Sequence, residues 1–565
     1  MCPCRESIRA SGGWVTKRRI AGEPAPRRTS QVETGLLSSG TMPYPENKAP
    51  ALTPTWWFFP ALIAAIYFLL HMMTATRYGY FRDALYYLAC SEHLDWGYVD
   101  QPPLIALVAW IARHTVGTSL PALLLWPALA GCGRILLTAA FARELGARRF
   151  GVALAAMLAA TPGVWYVIDH QFAMNALEPL FWTGCAFVLL RMINSGNLKL
   201  WLAFGAVAGL GLENKYSIAV FAFALLVGLL LTTQRRLLLT PWLLAGGGVA
   251  LLIFLPNLLW NIHHHWPFLE LMRNIRASGR DVVLPPLAFL GQQVLLMTPL
   301  SLPFWLAGLG FYLFSREAKS YRSFGWAFLI TIGFFLLAHG KNYYSAPAYP
   351  IVLAAGGVAA ELLLKARRFE LYPGMRTGLQ AACFLWLILG IGPLLPVTLP
   401  LLPVDTYLRY QEHLPFEVPR SEHGHIGAAL PQHYADEFGW PEMVATVSRV
   451  YHSLPEEEQR ETAIFTDNYG EAGAIDFFGP QYGLPKAICP HQNYFLWGPR
   501  GYTGEIIILV GSAHIEEARK VLQSVEPVAN LDNPYALPNE TRPILLGRGL
   551  KPNLQELWPQ LKKWN

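Results

Sequence analysis

Long runs of apolar residues recur along the first 400 residues, and they constrain the fold of this chain more than any other feature. The hydrocarbon core of a bilayer is about 30 Å thick and needs roughly twenty apolar residues per helix. Such runs lie near 56–75, 120–141, 150–168, 177–193, 199–213, 217–233, 238–260, 287–314, 324–339, 345–364 and 377–399. The sequence therefore predicts a mainly α-helical membrane bundle of about eleven transmembrane helices. The short pair 199–213 and 217–233 could instead be re-entrant or tilted.

Composition excludes a single soluble core. The chain is 53% hydrophobic and only 15% charged, whereas soluble proteins carry about 25% charged residues. The net charge of +6 would suit nucleic acid, but the basic residues lie in short clusters between apolar runs, so no nucleic-acid partner is expected. The seven cysteines show no paired metal spacing apart from Cys2 and Cys4. Neither a disulfide framework nor a zinc site follows.

Basic residues indicate the sidedness of the chain, because short cytoplasmic loops carry an excess of Lys and Arg. The N-terminal tail is basic, and so is every second loop after it: 143–149, Lys199, 235–236, 316–322 and 365–376. Residues 1–50 are therefore predicted to be a disordered cytoplasmic tail. It lacks the apolar run of a cleaved signal peptide, and Met42 is an alternative start. The expected location is a plasma membrane of the bacterial (inner membrane) type.

The character of the chain changes near residue 400, so the membrane domain is predicted to span 51–400. An odd number of spans places residues 401–565 outside the cytoplasm. There, Thr462 to Phe465 and Glu505 to Val510 read as buried strands, and Trp440 to Leu454 and Ile515 to Val525 as amphipathic helices. A small α/β extracytoplasmic domain is expected.

Two carboxylates stand out in the first external loop. Asp83 follows the first predicted span closely, and a carboxylate near the low dielectric of the membrane can accept a proton. The alternative for Asp83 is an interfacial ion pair with Arg82. Asp100 precedes Pro102 and Pro103 at the start of an apolar helical run, so it could bind substrate or cap the helix.

The loop sequence from Arg82 to Leu107, RDALYYLACSEHLDWGYVDQPPLIAL, resembles the first external loop of the family-39 glycosyltransferases of the GT-C class. The protein O-mannosyltransferases and the aminoarabinose transferase of lipid A are relatives in that class. The resemblance covers roughly 56–400. It extends to Met174–Leu180, Gly211–Tyr216, Pro256–Asn261 and Lys341–Tyr344.

This resemblance implies that a sugar is transferred, with inversion, from a polyprenyl-phosphate carrier to an acceptor at the outer face of the membrane. The acceptor could be a glycan, a lipid or a protein, and the protein would contact membrane lipids. The loop aspartate of the family corresponds to Asp83, the implied general base or acceptor-orienting group, and the aspartate before the prolines to Asp100. Arg82, Asn175 and Glu178 are also expected to bind the substrate. Three departures concern Ala84, where the family often has Glu, Gln101, where it usually has His, and Asn175 or Glu178, where several relatives have Asp.

Cations near the outer face are candidates for binding the phosphate, since a lipid phosphate leaves well only if its charge is met. Lys215 and Lys341 stand at predicted external helix ends. The alternative for Lys215 is that its side chain extends toward the lipid headgroups (snorkelling). The alternative for Glu178 is that its charge compensates the dipole at the start of a helix. Arg273, Arg276 and Arg280 fit a solvated loop helix better. Tyrosines that could stack on the sugar or hold the prenyl chain are Tyr86, Tyr87, Tyr343 and Tyr344, although aromatic belts are common.

No metal site is predicted. His263, His264 and His265 are adjacent in sequence, which rarely lets side chains meet one ion, and Trp266 beside them suggests an interfacial belt. Relatives differ in their use of a divalent metal, so no cofactor is assigned and a divalent metal stays an open alternative.

The leading hypothesis is therefore a polyprenyl-phosphate-sugar-dependent glycosyltransferase that moves a hexosyl or pentosyl group. The alternative is a transporter or flippase of lipid-linked sugars, which predicts ionisable residues inside spans and inverted repeats. In the C-terminal part, Thr466 to Gly473 could form a polar rim for the acceptor, but an ordinary strand-to-helix turn explains the same residues better.

Overall fold

The computed structural model describes residues 54–365, 373–419, 422–423, 427–511 and 515–565. The predictions for the tail 1–50 and the alternative start at Met42 lie outside the described residues.

Helices joined by short connections make up the first part of the chain. They are α1 (Phe58–Thr74), α2 (Arg82–Glu92), α3 (Leu104–Thr115), α4 (Leu120–Glu144), α5 (Arg149–Ala160), α6 (Gly163–Ile168), α7 (Met174–Ser195), α8 (Leu200–Asn214), α9 (Ile218–Leu230), α10 (Pro241–His263), α11 (Pro267–Ser278), α12 (Pro286–Leu296), α13 (Leu302–Phe314), α14 (Arg322–Leu337), α15 (Tyr349–Leu364), α16 (Pro373–Ile391) and α17 (Leu395–Thr398).

The C-terminal part mixes helices and strands. They are α18 (Val404–Gln411), α19 (Gln432–Ala435), α20 (Trp440–Ser453), α21 (Glu456–Glu461), β1 (Thr462–Thr466), α22 (Tyr469–Phe478), α23 (Gln492–Trp497), β2 (Ile506–Val510), α24 (Ile515–Val521), β3 (Leu522–Ala529), β4 (Ile544–Leu550) and α25 (Leu554–Leu557).

Within the described residues, six helices are long and apolar enough to cross a membrane: Leu120–Glu144, Met174–Ser195, Pro241–His263, Lys319–Leu337, Ala346–Leu364 and Pro373–Thr398. A seventh span results if Pro286–Leu296 and Pro299–Phe314, bent by 89°, count as one. The predicted class, a mainly α-helical membrane bundle with a small sheet, is confirmed. The predicted count of eleven is not confirmed, because the remaining apolar helices are shorter than a full span.

Proline breaks one predicted span in two. The run 150–168 forms α5 and then α6, because Pro162 has an extended conformation (ψ 128°) and has no N–H to continue the helix. The short helix α6 is thereby turned to one wall of the cavity described below.

Small residues let the helices of the bundle approach closely. A Cβ added at Gly205 of α8 would collide with the backbone carbonyl of Gly246 on α10. A Cβ at Gly308 of α13 would likewise collide with the carbonyl of Val352 on α15. Such contacts are typical of membrane helices, where van der Waals packing between small residues drives association.

The C-terminal strands form a four-stranded sheet in the order β1-β2-β4-β3. β1 pairs with β2 in parallel, and Ile464 lies opposite Ile508. β4 is antiparallel to both β2 and β3. Every residue of the central strand Ile506–Val510 is buried, which explains its uninterrupted apolar sequence.

The predicted helix from Ile515 to Val525 is wrong in its second half. The chain leaves helix α24 at Val521 and continues as strand β3, because pairing with β4 determines the conformation there. The two predicted strands and the predicted helix that begins at Trp440 lie within a residue or two of their expected bounds. The division into domains at residue 400 stays a prediction.

Helix α22 of the C-terminal part packs against helix α2 of the first loop. Gly473 makes this possible, since a Cβ there would lie 2.8 Å from the backbone carbon of Leu85. One hydrophobic core joins Leu85 and Leu88 of α2 to Val447 and Ile475. The first loop and the C-terminal part therefore pack against each other, and both contribute residues to the cavity described below.

Candidate functional site

A cavity of about 1020 Å³ brings together most of the predicted site residues. Those that line it are Arg82, Asp83, Tyr87, Asp100, Asn175, Lys215, Lys341, Tyr343 and Tyr344. Tyr86 and Glu178 do not line the cavity, but each is bonded to a residue that does. Residues from five separated parts of the chain thus converge on one space, which is the usual architecture of a small-molecule site.

Asp83 lies in the first turn of α2, where the helix dipole favours a carboxylate. Its Oδ1 accepts a hydrogen bond from the hydroxyl of Tyr469 at 2.8 Å. Among the described residues, none donates a hydrogen bond to its Oδ2. The side chain is 26% exposed, so the second oxygen is open to a ligand in the cavity. Burial raises the pKa of Asp83 above its usual value, although Arg82 and Tyr469 oppose this.

The guanidinium of Arg82 is shared between two carboxylates, those of Asp83 and Asp436. Its Nε lies 3.8 Å from Asp83 Oδ1, and its Nη1 lies 3.6 Å from Asp436 Oδ1. Both distances are too long for good hydrogen bonds. The guanidinium also lies over the ring of Tyr469, 5.5 Å from its centroid. The ion pair that was the alternative explanation of Asp83 is therefore present but long, and the carboxylate keeps an oxygen for other contacts.

Asp100 lines the cavity and does not cap a helix. Helix α3 begins after Pro103, and no side chain forms a cap bond there. Instead Asp100 Oδ1 accepts a hydrogen bond from the hydroxyl of Tyr86 at 2.9 Å. Burial raises the pKa of Asp100 to about 7. This group can therefore change charge near neutral pH.

Lys215 is held inside the cavity wall between α8 and α9. Its Nζ donates to Asn175 Oδ1 at 2.7 Å and to Glu178 Oε2 at 3.0 Å, and it lies 4.7 Å from the centroid of the Tyr344 ring. An ammonium has three N–H donors, so one remains for a ligand. These contacts fix the ammonium in place, which argues against snorkelling. Glu178 also accepts a hydrogen bond from the hydroxyl of Ser217. Its side chain therefore has specific partners in addition to any interaction with the helix dipole.

Lys341 is engaged by two carboxylates. Its side chain is 7% exposed, and its Nζ lies 2.6 Å from Glu422 Oε1 and 3.4 Å from Asp281 Oδ1. Arg280 lies beside the same pair, 3.3 Å from Asp281 and 3.9 Å from Glu422. Burial alone would raise the pKa of Glu422, but Lys341, Arg82 and Arg280 hold it well below its usual range.

Two of the three loop arginines reach the cavity, contrary to the solvated helix that the sequence favoured. Arg276 and Arg280 line it, whereas Arg273 does not. Arg276 is exposed on helix α11 and has no ion pair within the part of the chain that the structure describes. A cation without a carboxylate partner thus lies on the cavity wall.

Part of the cavity lining is apolar. It includes Val164, Val167 and Ile168 of α6, Leu295 and Leu296 of α12, and Phe334 and Phe335 of α14. Charged groups and an apolar wall in the same space suit a ligand with a polar head and a hydrocarbon chain.

The adjacent histidines His263, His264 and His265 lie at the end of helix α10. His264 Nδ1 lies 2.9 Å from the carbonyl oxygen of Trp260, and the two rings are stacked. Among the residues that the structure describes, no group of three or more His, Cys, Asp or Glu side chains is placed to hold a metal ion.

Sequence reasoning missed several residues of this site. Tyr469, Asp436, Glu422 and Asp281 line the cavity and contact predicted residues. Only Tyr469 had a local signal, because it lies in the Thr466 to Gly473 segment. That segment is indeed a strand-to-helix turn, with a capping box formed by Asn468 and Glu471, and it also aims Tyr469 at Asp83.

Comparison with known proteins agrees with the fold described above. The family model described as dolichyl-phosphate-mannose-protein mannosyltransferase matches residues 100–260. The crystal structure of ArnT from Cupriavidus metallidurans bound to undecaprenyl phosphate has a TM-score of 0.55 at 14% identity, over 87% of this chain and 98% of ArnT. The chain resembles the GT-C glycosyltransferases. The resemblance predicted from the sequence is thereby confirmed, and the fold is that of ArnT.

A relative with similar sequence is also a glycosyltransferase. Lipid A galacturonosyltransferase RgtD of Rhizobium johnstonii is 29% identical over 199 residues, which is 34% of this chain and 41% of the relative. The match therefore spans less than half of that protein's length. Together with the apolar helices, these matches identify an integral membrane protein.

Proposed function

We propose that this protein is a membrane glycosyltransferase that moves a sugar from a polyprenyl-phosphate carrier to an acceptor at the outer face of the membrane. The observation that carries the proposal is that one cavity holds Asp83, Lys215 and an apolar wall. A carboxylate with a free oxygen suits the acceptor hydroxyl, the ammonium suits the phosphate, and the apolar wall suits the prenyl chain.

The geometry supports an inverting displacement. Asp83 Oδ2 takes the proton of the acceptor hydroxyl while the acceptor oxygen forms a bond to the anomeric carbon. The bond between that carbon and the phosphate oxygen breaks, and its electron pair leaves with the lipid phosphate. The third N–H of Lys215 meets the charge that develops on the phosphate. The sugar is therefore attacked on the face opposite the leaving group.

The comparisons support a lipid-linked donor. ArnT was crystallised with undecaprenyl phosphate, and the matched family model is described by a dolichyl-phosphate-linked mannose donor. Each of these two lipids has a phosphate head and a long prenyl chain. For the acceptor, the match to a lipid A galacturonosyltransferase favours a glycolipid over a protein.

The predicted topology remains part of the proposal. Residues 1–50 would lie in the cytoplasm, residues 51–400 would form the membrane domain, and residues 401–565 would form a domain outside. The hydrogen bond between Tyr469 and Asp83 supports one element of this topology, because it requires the C-terminal part and the first loop to lie on the same side of the membrane.

The flippase alternative predicted ionisable groups along a path through the spans. Arg134, which is buried within α4, is such a group. Its Nη2 lies 2.7 Å from Asp169 Oδ2, and both side chains are at most 1% exposed. Neither residue lines the cavity. A closed, buried pair holds helices together and offers no passage for a substrate.

A direct assay tests the proposal. Membranes that contain the protein would be incubated with radiolabelled polyprenyl-phosphate sugars and a lipid A or lipid extract as acceptor. We expect label to move from the carrier to the acceptor fraction, and the matched control is a preparation without the protein. Movement of intact carrier across sealed vesicles without sugar transfer would instead identify a flippase.

A further inference from the structure

The start of helix α22 is fixed tightly by its own sequence. The side chain of Asn468 accepts hydrogen bonds from the backbone N–H groups of Gly470 (2.8 Å) and Glu471 (3.1 Å). In return, Glu471 Oε2 accepts from the N–H of Asn468 at 3.1 Å. Tyr469 is the first residue of the helix that this capping box holds. Its side chain therefore projects from a rigid point.

Tyr469 reaches the cavity and contacts the proposed base. Its hydroxyl donates to Asp83 Oδ1 at 2.8 Å, across 386 positions of sequence. Its ring packs against the ring of Tyr86 at 4.8 Å and that of His491 at 5.0 Å. Arg82 covers the ring from another side. Four groups thus restrict the phenol to one orientation.

Two of the cavity carboxylates, Asp83 and Asp100, are held in the same way. Tyr469 of the C-terminal part donates to Asp83, and Tyr86 of the first loop donates to Asp100. In each case a phenol binds Oδ1, and the two phenol rings pack on each other. A paired arrangement of this kind sets the direction in which each carboxylate presents its second oxygen.

We propose that Tyr469 is a positioning residue for Asp83, so that the C-terminal part of the chain completes the catalytic site. This inference rests on the proposed transferase function. By binding Oδ1, the phenol fixes the carboxylate so that Oδ2 faces the acceptor hydroxyl. The same hydrogen bond favours the ionised carboxylate, which is the form that can accept a proton.

The effect on pH dependence has a definite sign. The groups that act on Asp83 are Arg82 and Tyr469, which lower its pKa, and Asp436 and Glu422, which raise it together with burial. The change Tyr469→Phe deletes one lowering interaction, so the pKa of Asp83 rises further. A hydrogen bond to a charged group is strong enough to shift a pKa by about one unit. The acidic limb of transfer should move to higher pH by about that amount.

A matched control exists in the same part of the chain. Tyr494 also donates its hydroxyl to an aspartate, Asp476 Oδ2, at 3.0 Å, but neither residue lines the cavity. Tyr494→Phe therefore deletes an equivalent bond away from the reaction.

The experiment measures radiolabel transfer by the full-length protein across a range of pH, for the wild type, Tyr469→Phe and Tyr494→Phe. We expect Tyr469→Phe to lower kcat at least about tenfold and to shift the acidic limb upward by about one pH unit. We expect the KM for the lipid donor to stay unchanged. Tyr494→Phe should keep the wild-type profile. An unshifted limb in Tyr469→Phe, or an equal shift in Tyr494→Phe, overturns the inference while the transferase proposal stands.

Two further outcomes are decisive. A wild-type protein without any sugar transfer overturns the proposed function and this inference with it. If Tyr469→Phe fails to give a folded protein by size-exclusion chromatography, Tyr469→4-aminophenylalanine, which keeps an N–H donor at the position of the hydroxyl, serves as the second variant. It should retain the wild-type acidic limb, and a limb shifted upward by a unit or more in this folded variant would refute the positioning role.

Discussion

Variants of Lys215 can separate its structural role, which is to pair with Glu178, from its proposed role in binding the phosphate. Its ammonium is 15% exposed, and its partner Glu178 is 4% exposed. Removing one partner of a buried ion pair costs about 3–5 kcal/mol, because the other charge is left without compensation. Glu178 would keep its hydrogen bond from Ser217. We therefore expect Lys215→Met to destabilise the protein by about 3 kcal/mol, the lower end of that range.

The double variant Lys215→Met with Glu178→Gln removes both charges. It should recover most of that stability, since no uncompensated charge remains. It should not recover transfer, because the donor that meets the leaving phosphate is still missing. Loss of one such preorganised donor lowers the rate about 10²–10³-fold.

Two measurements on the same protein distinguish these effects. Thermal unfolding in detergent reports stability, and radiolabel transfer from the lipid carrier reports function. We expect the unfolding midpoint to fall in the single variant and to return in the double variant, with transfer low in both. Wild-type transfer by the double variant would show that Lys215 serves only to hold Glu178, and the role assigned to it in binding phosphate would be wrong.

Three further predictions follow from the cavity and its surroundings. Because the pKa of Asp100 is raised to about 7, the pH profile of kcat/KM should contain an ionisation near neutral pH that Asp100→Asn removes; an unaltered profile would exclude Asp100 from the reaction. The pKa of Glu422 is depressed from its usual 4.5, so its pairing with Lys341 contributes stability above that pH and loses it as the pH falls further. Glu422→Gln should therefore flatten the dependence of the unfolding midpoint on pH below about 4.5, and equal acid sensitivity in both proteins would contradict this. A cysteine introduced at the exposed Glu457 should react with an impermeant maleimide from outside intact cells, whereas labelling only after lysis would reverse the proposed topology.

The membrane fold could be predicted because its signal is local. Apolar runs of about twenty residues identify helices without any knowledge of their neighbours, and each predicted run contains a helix. The number of spans could not be predicted in the same way, since Pro162 divides one run and the bend after Leu296 divides another. Whether a short apolar helix crosses the membrane depends on its neighbours.

The predicted site residues converge because loops on one face of a bundle must meet. Asp83, Asn175 and Lys215 follow or precede separate spans, and all three line the cavity. The sequence could not show which partners hold them. Lys341 and Glu422 are 81 positions apart, and Tyr469 and Asp83 are 386 apart. Such pairs depend on how distant segments pack, and no local pattern encodes that.

The capping alternative for Asp100 shows that a local sequence signal can also suggest a contact that the fold does not form. An aspartate ahead of a Pro-Pro pair is a good local signal for a helix start, but the helix begins without a side-chain cap, and Asp100 turns toward Tyr86. The tertiary contact outweighs the local preference.

The role of Asp83 as the base is the central claim, and the Asp83→Asn variant tests it most directly. An asparagine has the same shape and can still accept the hydrogen bond from Tyr469, so the protein should insert and unfold as the wild type does. Removal of a general base lowers turnover about 10²–10⁴-fold. We expect a loss of that size in radiolabel transfer from the polyprenyl-phosphate sugar, measured in membranes with matched amounts of folded protein. Turnover within a few-fold of the wild type would contradict the mechanism.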